Sequence, residues 1–204
     1  MQHRIAAGQM AALGICITLS PAVAWAGDIV GRISAKAGAA GKPDDVAVWV
    51  HVSPPVKTAP TKTTIHQRGL QFSPQLLVIG AGGTVAMPND DDVAHNAFSM
   101  SEARRFNLGI YPQGQSKEVT FPEPGIVDVE CSMHRRMRAT IVVSPSPHHT
   151  VAKAGGRYEI KSVPAGSYEL RGWSQELGQF KGRVVVPERG AAEVEVALTA
   201  GGGR

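Results

Sequence analysis

From residue 27 onward the apolar positions fall in runs of five to eight, broken by Gly, Pro, Asn and Asp, and helical spacings are scarce. Short apolar runs bounded by turn residues are the pattern of an all-β sandwich. The runs predict strands over 28–33, 46–52, 63–67, 75–79, 84–87, 95–99, 116–121, 126–130 and 139–143. Four more are predicted over 157–160, 168–173, 182–186 and 193–198. One helical turn is predicted over Ser101–Arg105, with Ser101 as its cap. Gly80–Gly83, Pro88–Asp90, Pro122–Gly125 and Pro164–Gly166 supply turn chemistry between the runs.

The pattern changes at both ends of the chain. A basic start (His3, Arg4) precedes an apolar run from Met10 to Leu19, and Ala24-Trp25-Ala26 follows. That order is the one found in a secretory signal peptide. The run is half the length of about 20 residues that a membrane-spanning helix needs. Export to the periplasm is expected, with no transmembrane segment left in a mature chain that starts near Gly27. Gly201–Arg204 reads as a frayed tail. Within the body, the Pro-rich stretches Ser53–Thr61 and Ser144–Thr150 read as domain joints. The expected division is a leader at 1–26, strands at 27–58, a central unit at 59–145, further strands at 146–200 and the tail at 201–204.

Charge adds little. The formal net charge is +4, or +3 once Arg4 is removed, and no basic stripe interleaved with aromatics appears, so nucleic acid is not an expected partner. Cysteine usage says more. Cys16 lies in the leader, which leaves Cys131 alone in an oxidising compartment, with no internal disulfide to form.

Cys131-Ser-Met-His134-Arg-Arg-Met137 directly follows the strand predicted over 126–130, and His95 opens another strand upstream. Two histidines, a thiolate and a more distant methionine are the ligand set of a blue-copper electron-transfer site. The Cys131 thiolate is soft and strongly donating, and His95 and His134 suit both Cu(I) and Cu(II). Met137 is expected at a longer axial distance, favouring Cu(I). Zinc also accepts Cys and His, but its structural sites rarely take a thioether. Met133 is expected to point outward or pack.

The stretch Ile65–Val143 resembles the small type 1 copper proteins amicyanin, plastocyanin and pseudoazurin. The matching residues are Phe72-Ser73-Pro74, Gly83-Thr84-Val85, Asn89-Asp90, His95-Asn96, Phe121 with Pro124-Gly125, and the ligand loop, whose spacing is closest to amicyanin. The whole layout is similar to exported methylamine utilization proteins. The resemblance implies a Greek-key cupredoxin sandwich in which both histidines bind copper through Nδ1. It also implies that the His134 edge serves as the electron exit and that Asn96 pins the cysteine loop. Arg135 and Arg136 stand where such proteins often carry apolar residues. The segments around Gly31–Val50 and Gly156–Leu170 resemble the two halves of a carboxypeptidase regulatory-like (transthyretin-like) sandwich. They form either a second small sandwich interrupted by the copper unit, or tandem units.

The function expected is a periplasmic, monomeric one-electron carrier between redox partner proteins. Arg135, Arg136 and Arg138, with Arg104 and Arg105, suit acidic partners. The competing readings are a copper chaperone or scavenger, and an interaction module with copper secondary. No nucleophile–base pair suggests an enzyme. His148 and His149 in their Pro/Ser stretch read as solvated, with a second metal site shared with His51 or His66 as the lesser alternative, and Asp90–Asp92 reads as a solvated turn.

Overall fold

The computed structural model describes residues 26–35, 45–56, 59–153, 155–176 and 178–198. The expected leader (Ala26 excepted) and the tail at 201–204 lie outside the described residues, as does Cys16. Two strands, β1 (Ala26–Ala35) and β2 (Val46–His51), come first. Ten follow in the central part: β3 (Lys62–Thr64), β4 (His66–Gln67), β5 (Phe72–Ser73), β6 (Leu76–Gly80) and β7 (Gly83–Pro88). The rest of that part is β8 (His95–Ser99), β9 (Phe106–Tyr111), β10 (Ser116–Phe121), β11 (Gly125–Glu130) and β12 (Arg138–Ser144). The last six are β13 (His149–Ala152), β14 (Arg157–Pro164), β15 (Gly166–Ser174), β16 (Gly178–Val186), β17 (Ala191–Glu193) and β18 (Val196–Leu198).

The first two strands and the last six share two sheets. One has the order β14-β1-β17 with β18 also on β1, and the other runs β13-β2-β15-β16. Their facing sides bury one apolar cluster, including Ile29, Val48, Val50, Ile160, Leu170 and Val184. Each such fully buried side chain contributes about 1.5–3 kcal/mol of hydrophobic stabilisation. Gly31 lets the returning chain come close, since a Cβ there would lie 1.8 Å from the Val194 carbonyl oxygen. Strands β2 and β13 are antiparallel neighbours, with His149 opposite Trp49, so the chain departs and returns side by side.

Between those two strands the chain builds a second sandwich. Its sheets are β10-β7-β3 and β6-β12-β11-β8-β9, with the short β4-β5 pair at one end. Ile65, Phe72, Val85, Phe121, Val127, Ile141, Cys131 and Met137 belong to its core. A third, smaller cluster joins the two sandwiches: Ala47 and Trp49 pack with Val78 and Val142, flanked by Ile126 and Trp173. Strand β12 carries the chain from Arg138 to Ser144 at this seam, roughly 20 Å at about 3.3 Å per residue. The residues just before β12 therefore stand at the end remote from the seam.

Several expectations are corrected. Ser101–Arg105 forms one turn and no helix: the Arg104 amide donates to the Ser101 carbonyl at 3.1 Å. The Ser101 hydroxyl instead accepts from the Asp128 amide at 2.9 Å, so it caps nothing. Ser144–Thr150, read as a joint, connects β12 to β13 as packed chain. Ser144 and Ser146 are buried, the Ser146 hydroxyl donates to the Val50 carbonyl at 2.7 Å, and His149–Ala152 is a strand. Strand β9 escaped the sequence pattern because Asn107 and Gly109 interrupt its apolar run, and its chain bends where Gly109 takes φ 68°.

Candidate metal centre

Two β-strand ends and one loop bring the ligand candidates together. His95 opens β8, and Cys131 follows β11, which pairs with β8 through Glu130 and Phe98. The 131–137 loop is closed by its own backbone. The Cys131 amide donates to the Met137 carbonyl at 3.2 Å, and the Met137 amide to the His134 carbonyl at 2.9 Å. Asn96 ties this loop to β8, because its Oδ1 accepts from the Ser132 amide at 2.8 Å and from the Ser132 hydroxyl at 3.1 Å.

The donor atoms of His95, Cys131 and His134 lie within 4.8 Å of one another. The two Nδ1 atoms are 3.0 Å apart, and the His134 Nδ1 is 3.9 Å from the Cys131 sulfur. The rings meet edge to face, at 73°. Nitrogens about 2.0 Å and a sulfur about 2.3 Å from one ion would be separated by about 3.5 Å in a trigonal arrangement, so the triangle suits a single metal. His95 and Cys131 are buried, while His134 is partly exposed. Met137 is fully buried in the same core cluster as Cys131. Met133, its neighbour in the loop, is 47% exposed, with its side chain turned outward.

One contributor was misread from sequence. Asp90–Asp92 is no simple solvated turn, for Asp91 accepts from the ring of His95, with Oδ2 2.8 Å from Nε2. Its two oxygens also take the Gly69 and Leu70 amides, at 2.6 and 2.9 Å. Burial pushes the Asp91 carboxyl upward, but the Leu70 amide, His95 and the Gly69 amide hold it below its ordinary value. The carboxylate therefore holds the proton on Nε2 and leaves Nδ1 free to face Cys131 and His134. Buried Asn89 builds the turn, accepting from the Asp91 amide and donating to the Val93 and Tyr111 carbonyls. Asp91 also anchors the 69–70 bend, where Gly69 and Leu70 have φ of 63° and 57°. The available signal was an aspartate one short turn before a candidate metal-ligating histidine.

Asp90 is also partnered, with His66 at 2.7 Å and Arg68 at 3.0 Å. His66 is thus held at the metal end, while His149 sits on the flanking sheet opposite Trp49. Among the described residues, none of His51, His66, His148 and His149 belongs to a group of three metal-ligating side chains, so the second metal site is not assembled.

Residues 59–144 match the family model of copper binding proteins of the plastocyanin/azurin family. The match takes in less than half of the chain, and it is this segment alone that is cupredoxin-like. Copper is the cofactor of such a segment, and the soft thiolate with two imidazoles found here suits it. Among solved structures, a Cu-containing nitrite reductase from Thermus scotoductus is 28% identical over 44% of this chain, at a TM-score of 0.39. The chain spans only 25% of that reductase's length. A purple cupredoxin from Nitrosopumilus maritimus is 29% identical, covering 40% of this chain and 99% of its own, with a TM-score of 0.37. A variant of amicyanin in its reduced Cu(I) form is 20% identical over 48% of this chain and 98% of its own, with a TM-score of 0.39. No curated protein matches the chain. The assignment rests on the family match and the donor triangle. Among the described residues no helix is long and apolar enough to cross a membrane.

Around the partly exposed His134 the surface of the cupredoxin-like sandwich is mixed. A depression of about 550 Å³ beside it is lined by Gly69, Leu70, Gln75, Arg135 and Arg136. Leu70 and Met133 supply exposed apolar surface, and Arg135 and Arg136 supply charge.

Proposed function

We propose that the protein is an exported one-electron carrier whose copper is held by His95, Cys131 and His134, with Met137 as axial ligand. The observation that carries this reading is the convergence of two Nδ1 atoms and one sulfur at the buried end of a β-sandwich. Copper supplies reversible one-electron chemistry when bound. The protein's part is to keep the ligands still: strands fix His95 and Cys131, Asn96 ties the loop, and Asp91 locks the His95 ring. A site that moves little on changing charge has a low barrier to electron exchange. The partly exposed His134 gives the electron a short route to a partner. The buried cysteine and His95 favour a carrier over a chaperone, which needs exchangeable ligands. In this reading the leader at 1–26 sends the chain to the periplasm, and the flanking strands form one discontinuous domain that holds the metal end outward.

The test is colour and reversibility. Mature protein titrated with Cu(II) turns blue, purple or green through thiolate-to-copper charge transfer and shows a reversible one-electron wave. Cys131→Ser abolishes the colour. A colourless copper complex, or stoichiometric preference for Zn(II) over Cu(II), would refute the carrier. The proposed partners are acidic redox proteins that meet Arg135 and Arg136. Arg135→Glu with Arg136→Glu slows electron transfer to such a partner by about tenfold or more at low salt, and the difference shrinks as salt screens it. Equal rates at both salt levels would remove the steering role.

A further inference from the structure

A second site lies at the seam, roughly one strand length from the metal end. A groove of about 320 Å³ runs between the two sandwiches. Trp49 and Gln179 line it from the flanking sandwich, and Ile126 and Val142 from the cupredoxin-like one. Its charged group is Arg171 on β15, and His51 on β2 adds a polar imidazole to the lining.

The charges along this sheet do not balance. In register, His51 lies opposite Glu169, Arg171 opposite Lys181, and Glu169 opposite Arg183. Like charges directly opposite on one sheet face repel. Glu169 bonds the Arg171 Nε, while neither Lys181 nor Arg183 joins an ion pair among the described residues. The sheet face that carries Arg171 is therefore net positive, with Lys181 and Arg183 lining a separate depression. His51 registers the same field: burial lowers its pKa first, then Arg171, with Glu169 opposing and Lys181 adding to the fall.

We propose that this groove binds a small amphipathic carboxylate. The apolar body lies between Trp49 on one side and Ile126 and Val142 on the other. The carboxylate meets the Nη groups of Arg171, which Glu169 leaves available, and relieves the Arg171–Lys181 repulsion. A guanidinium fork matches a carboxylate in two parallel hydrogen bonds, which favours a carboxylate over a spherical anion. The groove is at the small end of the roughly 300–1,000 Å³ usual for ligand sites, so the ligand is a single-ring or short-chain acid. Because both sandwiches contribute walls, an occupant braces one against the other. This inference is independent of the copper reading.

The probe is 3-phenylpropionate, with the uncharged 3-phenylpropan-1-ol beside it, titrated into the mature protein by calorimetry and by NMR of the tryptophan indole protons. Saturable binding of the acid is expected, with the alcohol about tenfold weaker or worse. The Trp49 indole is expected to shift, and the melting temperature to rise with acid concentration. Arg171→Gln weakens the acid by about tenfold and leaves the alcohol unchanged. Lys181→Gln weakens it by about threefold. If Arg171→Gln unfolds, Arg171→Lys serves, keeping the charge while losing the fork. The proposal falls if the acid shows no saturation up to about 10 mM, if acid and alcohol bind alike, or if Arg171 variants that still fold bind the acid undiminished.

Discussion

The two sandwiches carry their buried polar groups very differently. In the flanking one, Ile29, Val48, Val50, Ile160, Leu170 and Val184 fill the interior, and Ser174 is the buried polar side chain on its strands among the described residues. In the cupredoxin-like one, Gln67, Asn89, His95 and Asn96 are all buried, and hydrogen bonds link them to the turn before His95, to Tyr111 or to the cysteine loop. Burying such groups costs stability unless each finds a partner, and a partnered network is rigid. One of these atoms, the Gln67 Oε1, has no partner. Apolar packing therefore holds one sandwich together, while the other accepts a stability cost at one end in exchange for fixed geometry. The positions where local rules are broken are the ones expected to carry function.

This contrast can be broken or sharpened by substitution. The largest effect is expected in the flanking core: Leu170→Ala, at a fully buried site, lowers stability by about 2–5 kcal/mol in chemical unfolding. The colour of the copper-loaded protein at low denaturant should not change, because Leu170 lies in the other sandwich. A shifted charge-transfer band would show that the flanking sandwich tunes the metal and would overturn the division of labour.

A smaller, more local effect is expected at Asp91. Asp91→Asn weakens copper binding by about 10- to 100-fold in competition with a chelator, while Asp92→Asn, at an exposed position, leaves it unchanged. The metal-free protein offers a second readout, since nitrogen NMR of the His95 ring would show a changed tautomer population in Asp91→Asn only. Equal affinities for the two variants would reduce Asp91 to a turn residue.

The smallest effect concerns pH, and it belongs to the flanking side. Burial lowers the pKa of His149 below its ordinary 6.5, with His148 adding to the shift, and burial also lowers those of His148 and His51. A histidine that is harder to protonate when folded leaves the unfolded chain binding more protons below pH 6.5. Stability is thus complete above that pH and is lost as pH falls below it. Thermal melts between pH 7 and 5 should show this decline, and His149→Gln should flatten it by roughly a third, being one of three such groups. An unchanged slope would mean that His149 is protonated without cost in the fold.

Much of this was legible in the residues. β8 and β10 have the bounds read from the pattern, and most other strands differ by one or two residues, because apolar runs ending in turn residues carry their own boundaries. The candidate donors His95, Cys131 and His134 that the fold brings together were also picked out in the sequence, where Cys131, His134 and Met137 at short spacing behind a strand drew attention to the upstream His95. Asp91 was not. Its neighbours in sequence are two more aspartates, and its significance depends on the Gly69–Leu70 bend some twenty residues upstream. Strand β13 was hidden in a Ser/Pro/His stretch and exists because β2, about a hundred residues earlier, offers it a ladder.

The sequence alone determined what is local: strand periodicity, turn chemistry and the choice of soft and imidazole donors that suits copper. Tertiary structure decided which distant segments share a sheet, which aspartate faces His95, and that Arg171 and Lys181 stand opposite each other above a groove. The physical reason is that side-chain alternation and ligand chemistry are written residue by residue. Pairing register and the field at a seam are sums over segments that meet only after folding.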